Sequence, residues 1–495
     1  MSAWRATGSS PALRVAVVAL LLAFGLMGAR ALWDPDEGRY TNVALTMLDT
    51  GNFVDLSRHH ETGHWTKPPV TYWAIAASVA TFGPHPWSAR LPAALAYLAC
   101  VWLAWRVARR LQPGTETTAA LAYATMLLPF GAANLITTDY LLAAFQGLAM
   151  WAWIESRFGP REHAGRWLLL MWAGFAIAFM TKGPPALLPL LAVVAMQWLA
   201  PAPERRASRA WWTGALLFVL LALPWYLVVV LRHEGLLAYF LGTEVVARIA
   251  SDQLHRNPEW YGWLLVYGPT LLLGTLPWTA VAGRALRGGL ARVRGWRDAA
   301  ARREDAPLLA LWLWVLLPLL VFCLARSRLP LYVLPLFLPL AVLVARQWHA
   351  EGRGLLRMRW WVLAVAVLLA LRLGTALWPT SKDAGRWADA LSSRVDHRVE
   401  EVVFVEDMAR YGLHLHMGVA VEKVSLEPVP RERFGADYDS SFAAELLEGE
   451  DALWVTKQAL FPQLVERADA LGFRLEPRGE PYEGRVIFRV LRTPR

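Results

Sequence analysis

Residues 15–33, VAVVALLLAFGLMGARALW, run without a linker into residues 34–40, DPDEGRY. A greasy segment of this length fits a membrane helix. Three carboxylates and an arginine at its end mark the boundary where the chain meets water. Read on its own, the second segment is a helix stop: Pro35 restricts the backbone, and the acids face solvent and help cap the next helix. Whether DPDEGRY does more depends on which face of a membrane it occupies and what else gathers there.

The composition supports a membrane setting. Of 495 residues, 56% are hydrophobic and 27 are Trp, well above a soluble domain of ordinary make-up. The formal net charge is +10, but residues from 378 onward hold 21 of the 40 acidic residues against 16 Lys and Arg. The rest of the chain is therefore strongly basic. Its arginines alternate with apolar runs and form no single basic face, which favours membrane loops and argues against a nucleic-acid partner. Cys100 and Cys323 both lie in apolar runs and read as buried thiols, outside any disulfide framework or metal cluster. The first apolar run lacks a small-residue cleavage site and is read as a retained helix.

Apolar stretches near 11–32, 88–108, 116–131, 139–156, 166–181, 184–200, 211–231, 259–281, 307–325, 330–347 and 358–376 give about eleven candidate spans. Arginine clusters at Arg106, Arg109 and Arg110, at Arg157, Arg161 and Arg166, and at Arg205, Arg206 and Arg209 follow even-numbered spans. So do the loop from Arg284 to Arg303 and the group Arg353, Arg357 and Arg359. The positive-inside rule assigns all of these to the cytoplasm, together with the N-terminus. The first outer loop is then 33–87, and the region after 378 lies on the same outer side. Within that loop, TYWAIAASVATFG (71–83) is too short for a span and reads as an interfacial helix entered through Pro68 and Pro69.

The expected architecture is a polytopic α-helical membrane domain over 1–377 and a small soluble α/β domain over 378–495. EEVVFVED, DALWVTK, GFRLEP and GRVIFRVLR read as strands, and 384–394, 440–448 and 460–471 as helices.

Polar residues collect on the expected outer face. DPDEGRY opens the first loop and HWTKPPVTYW (64–73) closes it. NLITTDY supplies Asp139, FMTKGPP supplies Lys182, and SRLPLYVLP supplies Arg328 and Tyr332. Such groups are costly in lipid unless paired or wetted, so their clustering implies a hydrated outer cavity. Carboxylates there can deprotonate an acceptor hydroxyl, while Lys and Arg neutralise a departing phosphate. This combination suits group transfer from a lipid phosphate. His255, in SDQLHRNPEWYGW, reads equally as a surface residue, a proton carrier or a metal ligand. Trp65, Tyr72, Trp73 and Trp260 can stack on a sugar or anchor at an interface.

Taken in order, these motifs resemble the membrane glycosyltransferases that use polyprenyl-phosphate-linked sugars. The likeness extends to the protein mannosyltransferases and is greater to the bacterial branch that includes the 4-amino-4-deoxy-L-arabinose transferase of lipid A. That family's Asp-Glu-x-Arg-Tyr motif corresponds to Asp36-Glu37-Gly38-Arg39-Tyr40, its Lys-Pro and Tyr-Trp pairs to Lys67-Pro68 and Tyr72-Trp73, and its Thr-Lys-Gly turn to Thr181-Lys182-Gly183. Its Ser-Lys-x-Pro-x-Tyr segment resembles Ser327-Arg328-Leu329-Pro330-Leu331-Tyr332, with Arg in place of Lys. Thr66 stands where close relatives carry Glu, and His64 stands near a usual aromatic position.

The resemblance covers about residues 10–376 and implies a GT-C glycosyltransferase fold. It makes Asp36 the leading catalytic carboxylate and Asp139 its partner. Arg39, Lys67, Lys182, Arg328 and Tyr332 would hold the donor phosphate, and Glu37, Tyr40, Tyr72 and Trp73 would line the substrate. Glu244 and His255 are the pair through which a divalent metal would bind; no other cofactor is implied. The implied donor is an undecaprenyl-phosphate-linked sugar, and the implied acceptor is lipid A or another envelope glycan. The reaction is expected on the periplasmic face of a bacterial inner membrane, with inversion at the anomeric carbon. A lipid or glycan transporter would instead spread its charges through the spans toward both faces, and an assembly factor would bind partners without the outer-face charges.

Overall fold

The computed structural model describes residues 10–59, 62–201, 208–247, 257–430 and 433–493. The chain divides into two compact units, Met1–Leu26 with Ala93–Leu373, and Met27–Pro92 with Gly374–Arg495. The sequence expectation kept the first loop with the helical part. In the structure residues 27–92 belong with the C-terminal domain.

The first unit is helical, because a helix satisfies every backbone donor and acceptor within its own segment. Among the described residues six helices are long and apolar enough to cross a membrane: Pro86–Leu111, Arg161–Lys182, Arg209–Arg232, Ala306–Leu324, Pro330–Ala350 and Met358–Leu377. A seventh forms if Gly262–Gly274 and Thr279–Val293, bent by 114°, count as one broken span. Pro277 lies in that break and removes a backbone donor. Of the remaining candidate spans, Pro11–Phe24 and Pro184–Leu199 are apolar but short. Glu116–Thr125 and Leu127–Ala132 are separated by extended backbone at Met126. Asp139–Phe158 is long enough, at 20 residues, but carries Asp139, Glu155 and Arg157.

Several helices present apolar side chains outward. On Ser208–Arg232, Leu216, Leu220, Leu227 and Leu231 are all more than half exposed. They recur at helical spacing and form a stripe that water would not tolerate and lipid accepts.

The second unit is built on a six-stranded sheet of order β3-β2-β1-β4-β6-β5. The strands are β1 Glu401–Val405, β2 Ala420–Ser425, β3 Ser440–Ser441, β4 Ala452–Lys457, β5 Phe473–Pro477 and β6 Arg485–Arg492. β1 to β4 pair in parallel and β6 runs antiparallel to β4 and β5. Alternation along β1 sends Val402 and Phe404 to one apolar layer with Trp387 and Leu413, and Val403 and Val405 to the other with Phe442 and Leu464. The four expected strands form, as do helices Ala384–Ser392, Phe442–Glu448 and Phe461–Ala470. β2 and β3 were not foreseen, since AVEKVS carries a Glu and a Lys at positions where strand propensity favours apolar residues.

The loop is stitched to this domain by its backbone. Asp34 N–H donates to the Lys382 carbonyl and Ala384 N–H to that of Leu32, both at 2.9 Å. Arg58 pairs with Asp439 at 2.5 Å, and the His414 ring lies 2.8 Å from Asn42 Oδ1 and 3.0 Å from Asp49 Oδ2. The segment expected at 71–83 forms helix Val70–Phe82, with Tyr72, Ile75, Ala76 and Val79 buried.

Gly38 is required by this packing. A methyl built there would overlap both Asp34 Oδ1 and the Gly412 nitrogen. Gly to Ala inside a helix ordinarily stabilises by about 0.5–1 kcal/mol. Here overpacking reverses the sign, and Gly38→Ala should destabilise the purified protein by about 1–3 kcal/mol in thermal unfolding.

Candidate active site

In the second unit DPDEGRY becomes the N-terminus of helix Asp36–Thr50. Its acidic residues have different fates. Asp36 is the first helical residue, where the helix dipole favours a carboxylate. Its side chain is 65% exposed and pairs with Arg39 at 2.7 Å one turn on. This leaves Asp36 accessible to a substrate.

Glu37 points the other way and is sealed inside. Oε1 accepts from Arg90 Nε at 2.9 Å, and Oε2 accepts from Arg30 Nη1 at 2.6 Å, Arg90 Nη2 at 2.9 Å and the Trp33 N–H at 2.9 Å. Burial pushes this carboxyl up, but the charges and hydrogen bonds of Arg90 and Arg30 outweigh it and hold the pKa down at about 2. Arg90 also donates to the carbonyls of Met27, Arg30 and Ala31, so the pair is set in a satisfied network. The expected substrate contact for Glu37 is therefore corrected: it anchors the helix internally.

Asp34 is also buried, and the Gly412 N–H lies 3.1 Å from Oδ1 and 3.3 Å from Oδ2. Burial raises its pKa to about 8, against the lowering effect of that hydrogen bond.

Around the same helix, Tyr40 stacks on Tyr72 with centroids 5.6 Å apart, and His64 meets Tyr72 edge-on at 5.8 Å. Burial drives the His64 pKa well below its ordinary value, helped by the charges of Arg39, Arg58 and Lys67. Of these three cations Arg39 is paired with Asp36 and Arg58 with Asp439. Thr66 Oγ1 lies 3.0 Å from His64 Nε2, and Lys67 Nζ donates to the Thr66 carbonyl at 2.5 Å. Trp73 donates its indole N–H to the Phe53 carbonyl at 2.8 Å, so its polar atom serves the loop itself. Trp65 and Tyr72 are buried and Trp260 is exposed.

In the first unit three of the expected residues meet. Asp139 opens helix Asp139–Phe158, Lys182 closes helix Ala164–Lys182, and the two form an ion pair in which both side chains are more than nine-tenths buried. Both ends suit the helix dipoles, with the acid at an N-terminus and the cation at a C-terminus. Gly183, at φ +74°, lets the chain turn immediately after Lys182. Gln146 fixes that turn by donating to the Pro185 and Ala186 carbonyls at 2.9 and 3.0 Å. The Lys182 ammonium lies 4.5 Å from the Tyr332 ring centroid.

Arg328 does not present both arms of its guanidinium to a ligand. Nη1 donates to the Asn257 and Glu259 carbonyls, each at 2.7 Å, and Nη2 to that of Cys323 at 3.1 Å. These bonds pin the loop at Asn257 and Glu259 and orient the guanidinium, whose buried Nε has no partner among the described residues. Glu244 accepts from the Tyr239 hydroxyl at 3.4 Å. His255, its expected metal partner, lies outside the described residues.

Sequence reasoning missed Arg30 and Arg90, whose signal was an arginine at the edge of each of two apolar runs. It also missed Arg58 and His59, which no local motif marks.

The helical unit and the appended sheet domain together define the GT-C glycosyltransferase fold. The chain superimposes on the crystal structure of ArnT from Cupriavidus metallidurans with a TM-score of 0.75 at 18% identity, covering 96% of this chain and 97% of that one. The same protein bound to undecaprenyl phosphate gives 0.74 at 19% identity, again over 96% and 97%. Residues 66–227 match the family described as dolichyl-phosphate-mannose-protein mannosyltransferase. In sequence the chain resembles the undecaprenyl phosphate-α-4-amino-4-deoxy-L-arabinose arabinosyl transferase of Pseudomonas aeruginosa (strain UCBPP-PA14), with 33% identity over 383 residues. That alignment takes in 72% of this chain, and the chain spans 65% of the length of that relative.

Two outcomes follow from the divergent fates of neighbouring carboxylates. Glu37→Ala leaves two buried guanidinium groups unpaired and should cost about 3–5 kcal/mol in thermal unfolding, whereas Asp36→Asn, at an exposed pair, should cost no more than about 1 kcal/mol. Asp34 responds to pH. Its folded pKa of about 8 lies above the ordinary 3.8, so the folded chain holds this proton more tightly than the unfolded chain. Its contribution to stability is full below about pH 4 and is lost as pH rises through about 8. Melting temperatures taken across that window should show Asp34→Asn gaining on the wild type as pH increases.

Proposed function

We propose that this chain is a polyprenyl-phosphate-sugar-dependent glycosyltransferase of the inverting type. The observation that carries the reading is an accessible carboxylate, Asp36, held at a helix N-terminus by a fully buried anchor, in a chain similar to a named sugar transferase over 72% of its length. The donor is undecaprenyl phosphate carrying 4-amino-4-deoxy-L-arabinose, and the acceptor is lipid A or a related envelope glycan. The named relative and the undecaprenyl-phosphate-bound structure support the choice of donor. The setting is a bacterial inner membrane, with the chemistry and the C-terminal domain on the periplasmic side and the N-terminus in the cytoplasm.

In the reaction an acceptor oxygen attacks the anomeric carbon from the face opposite the phosphate. The carbon–oxygen bond to the phosphate breaks and undecaprenyl phosphate leaves with the bonding pair. Asp36 takes the proton lost by the acceptor hydroxyl, with Arg39 fixing its orientation. Lys67 is a cation for the donor phosphate. Tyr40, Tyr72 and Trp73 shape the substrate's surroundings through their packing.

The test has two arms. Mass spectrometry of envelope lipids from matched cells with and without the protein should show loss of an aminoarabinose-modified species. With purified protein in nanodiscs, Asp36→Asn should lower turnover by about 10²–10⁴-fold while costing no more than about 1 kcal/mol of stability. Unmodified lipid profiles in both strains would overturn the substrate, and full turnover by the variant would overturn the role of Asp36.

A further inference from the structure

The sheet of the C-terminal domain buries a cluster of carboxylates. Glu401 begins β1 and Glu422 sits in β2, where the register Val403↔Glu422 turns both carboxylates to the same side of the sheet as Val403. That side is otherwise apolar, and helix Phe442–Glu448 covers it with Phe442 and Leu446. The same helix adds Glu445. The three residues are 1%, 2% and 4% exposed, and one carboxylate oxygen from each lies within 4.8 Å of the other two.

Burying one carboxylate costs several kcal/mol, and gathering three adds mutual repulsion. The neighbouring cations do not balance them. Arg58 is engaged by Asp439, leaving the imidazole of His59, whose Nε2 lies 2.9 Å from Glu401 Oε1. Burial pushes the pKa values of Glu422 and Glu445 upward; at Glu422 the Glu445 carboxyl adds to this, while at Glu445 the hydrogen bond to Glu422 opposes it.

A second observation points to a ligand. Oε2 of Glu401, of Glu422 and of Glu445 each lack a hydrogen-bond partner among the described residues. Buried acceptors are rarely left so, and three on one cluster call for something that all can bind. Sharing protons within the trio would lower the charge without supplying donors to all three orphaned oxygens.

We propose that Glu401, Glu422 and Glu445 bind a calcium ion inside the C-terminal domain. An all-oxygen donor set selects a hard cation over zinc or copper. Oxygens that all lie within 4.8 Å of one another fit around calcium, which accepts flexible geometry at about 2.3–2.6 Å, whereas magnesium demands near-ideal octahedral geometry at about 2.0–2.1 Å and keeps several waters, which a site sealed among apolar side chains does not offer. His59 then acts from outside the coordination sphere, orienting Glu401 through its hydrogen bond. Because His59 comes from the first loop, the ion ties that loop to the sheet.

The test uses the full chain in nanodiscs, stripped with a chelator and given Ca²⁺ alone, so no turnover is needed. Calorimetry should show one tight Ca²⁺ per chain, and the melting temperature should rise with Ca²⁺ and fall again with chelator. Glu422→Gln should abolish the tight binding and the rise. If that variant does not fold, His59→Gln should weaken Ca²⁺ binding by about 10–100-fold. Absence of tight Ca²⁺ binding, a response to Zn²⁺ alone, or wild-type affinity in the folded variants would overturn the assignment.

Discussion

The buried Glu37 carboxylate, gripped by Arg90 and Arg30, is the interaction on which the proposed chemistry depends. It fixes the first turn of helix Asp36–Thr50 against residues 27–33 and the start of helix Pro86–Leu111. Side chains one residue apart on a helix point about 100° apart, so anchoring Glu37 inside fixes Asp36 outside. A buried ion pair contributes little net stability when its desolvation is counted, but breaking it is costly. Its value here is positional, since it gives one turn of helix a single orientation.

Asp34 and Gly38 extend the same constraint. The Asp34 carboxylate fits between Gly38 and the Gly412 N–H, and the backbone pairing of residues 32–34 with 382–384 holds the segment to the C-terminal domain. The four residues from Asp34 to Glu37 thus divide into two internal anchors, a proline and one exposed acid. In the other unit Asp139, Lys182 and Tyr332 form a cluster positioned by two helix ends and a glycine turn.

Much of this was legible in the sequence. Apolar runs punctuated by arginines gave the helices, and short β-rich stretches gave four of the six strands. The grouping of Asp139 with Lys182 and Tyr332 followed from where their helices and turn were expected to end. The anchors were harder to read. Glu37 looked like one more solvated acid because its partner Arg90 is 53 residues away, a distance over which no periodicity carries information. The carbonyls that orient Arg328 were likewise invisible, since a sequence shows a cation but not the backbone around it. β2 was hidden by Glu422, whose charge argues against a buried strand unless something in the interior neutralises it.

The positional claim is tested most directly by a double-mutant cycle on Glu37→Gln and Arg90→Gln, with melting and turnover measured for all four proteins. If the pair is the anchor, each single change lowers both stability and turnover, and the second change adds far less than the first, with a coupling energy of about 0.5–3 kcal/mol. Additive effects on stability, or full turnover in the double variant, would contradict the account.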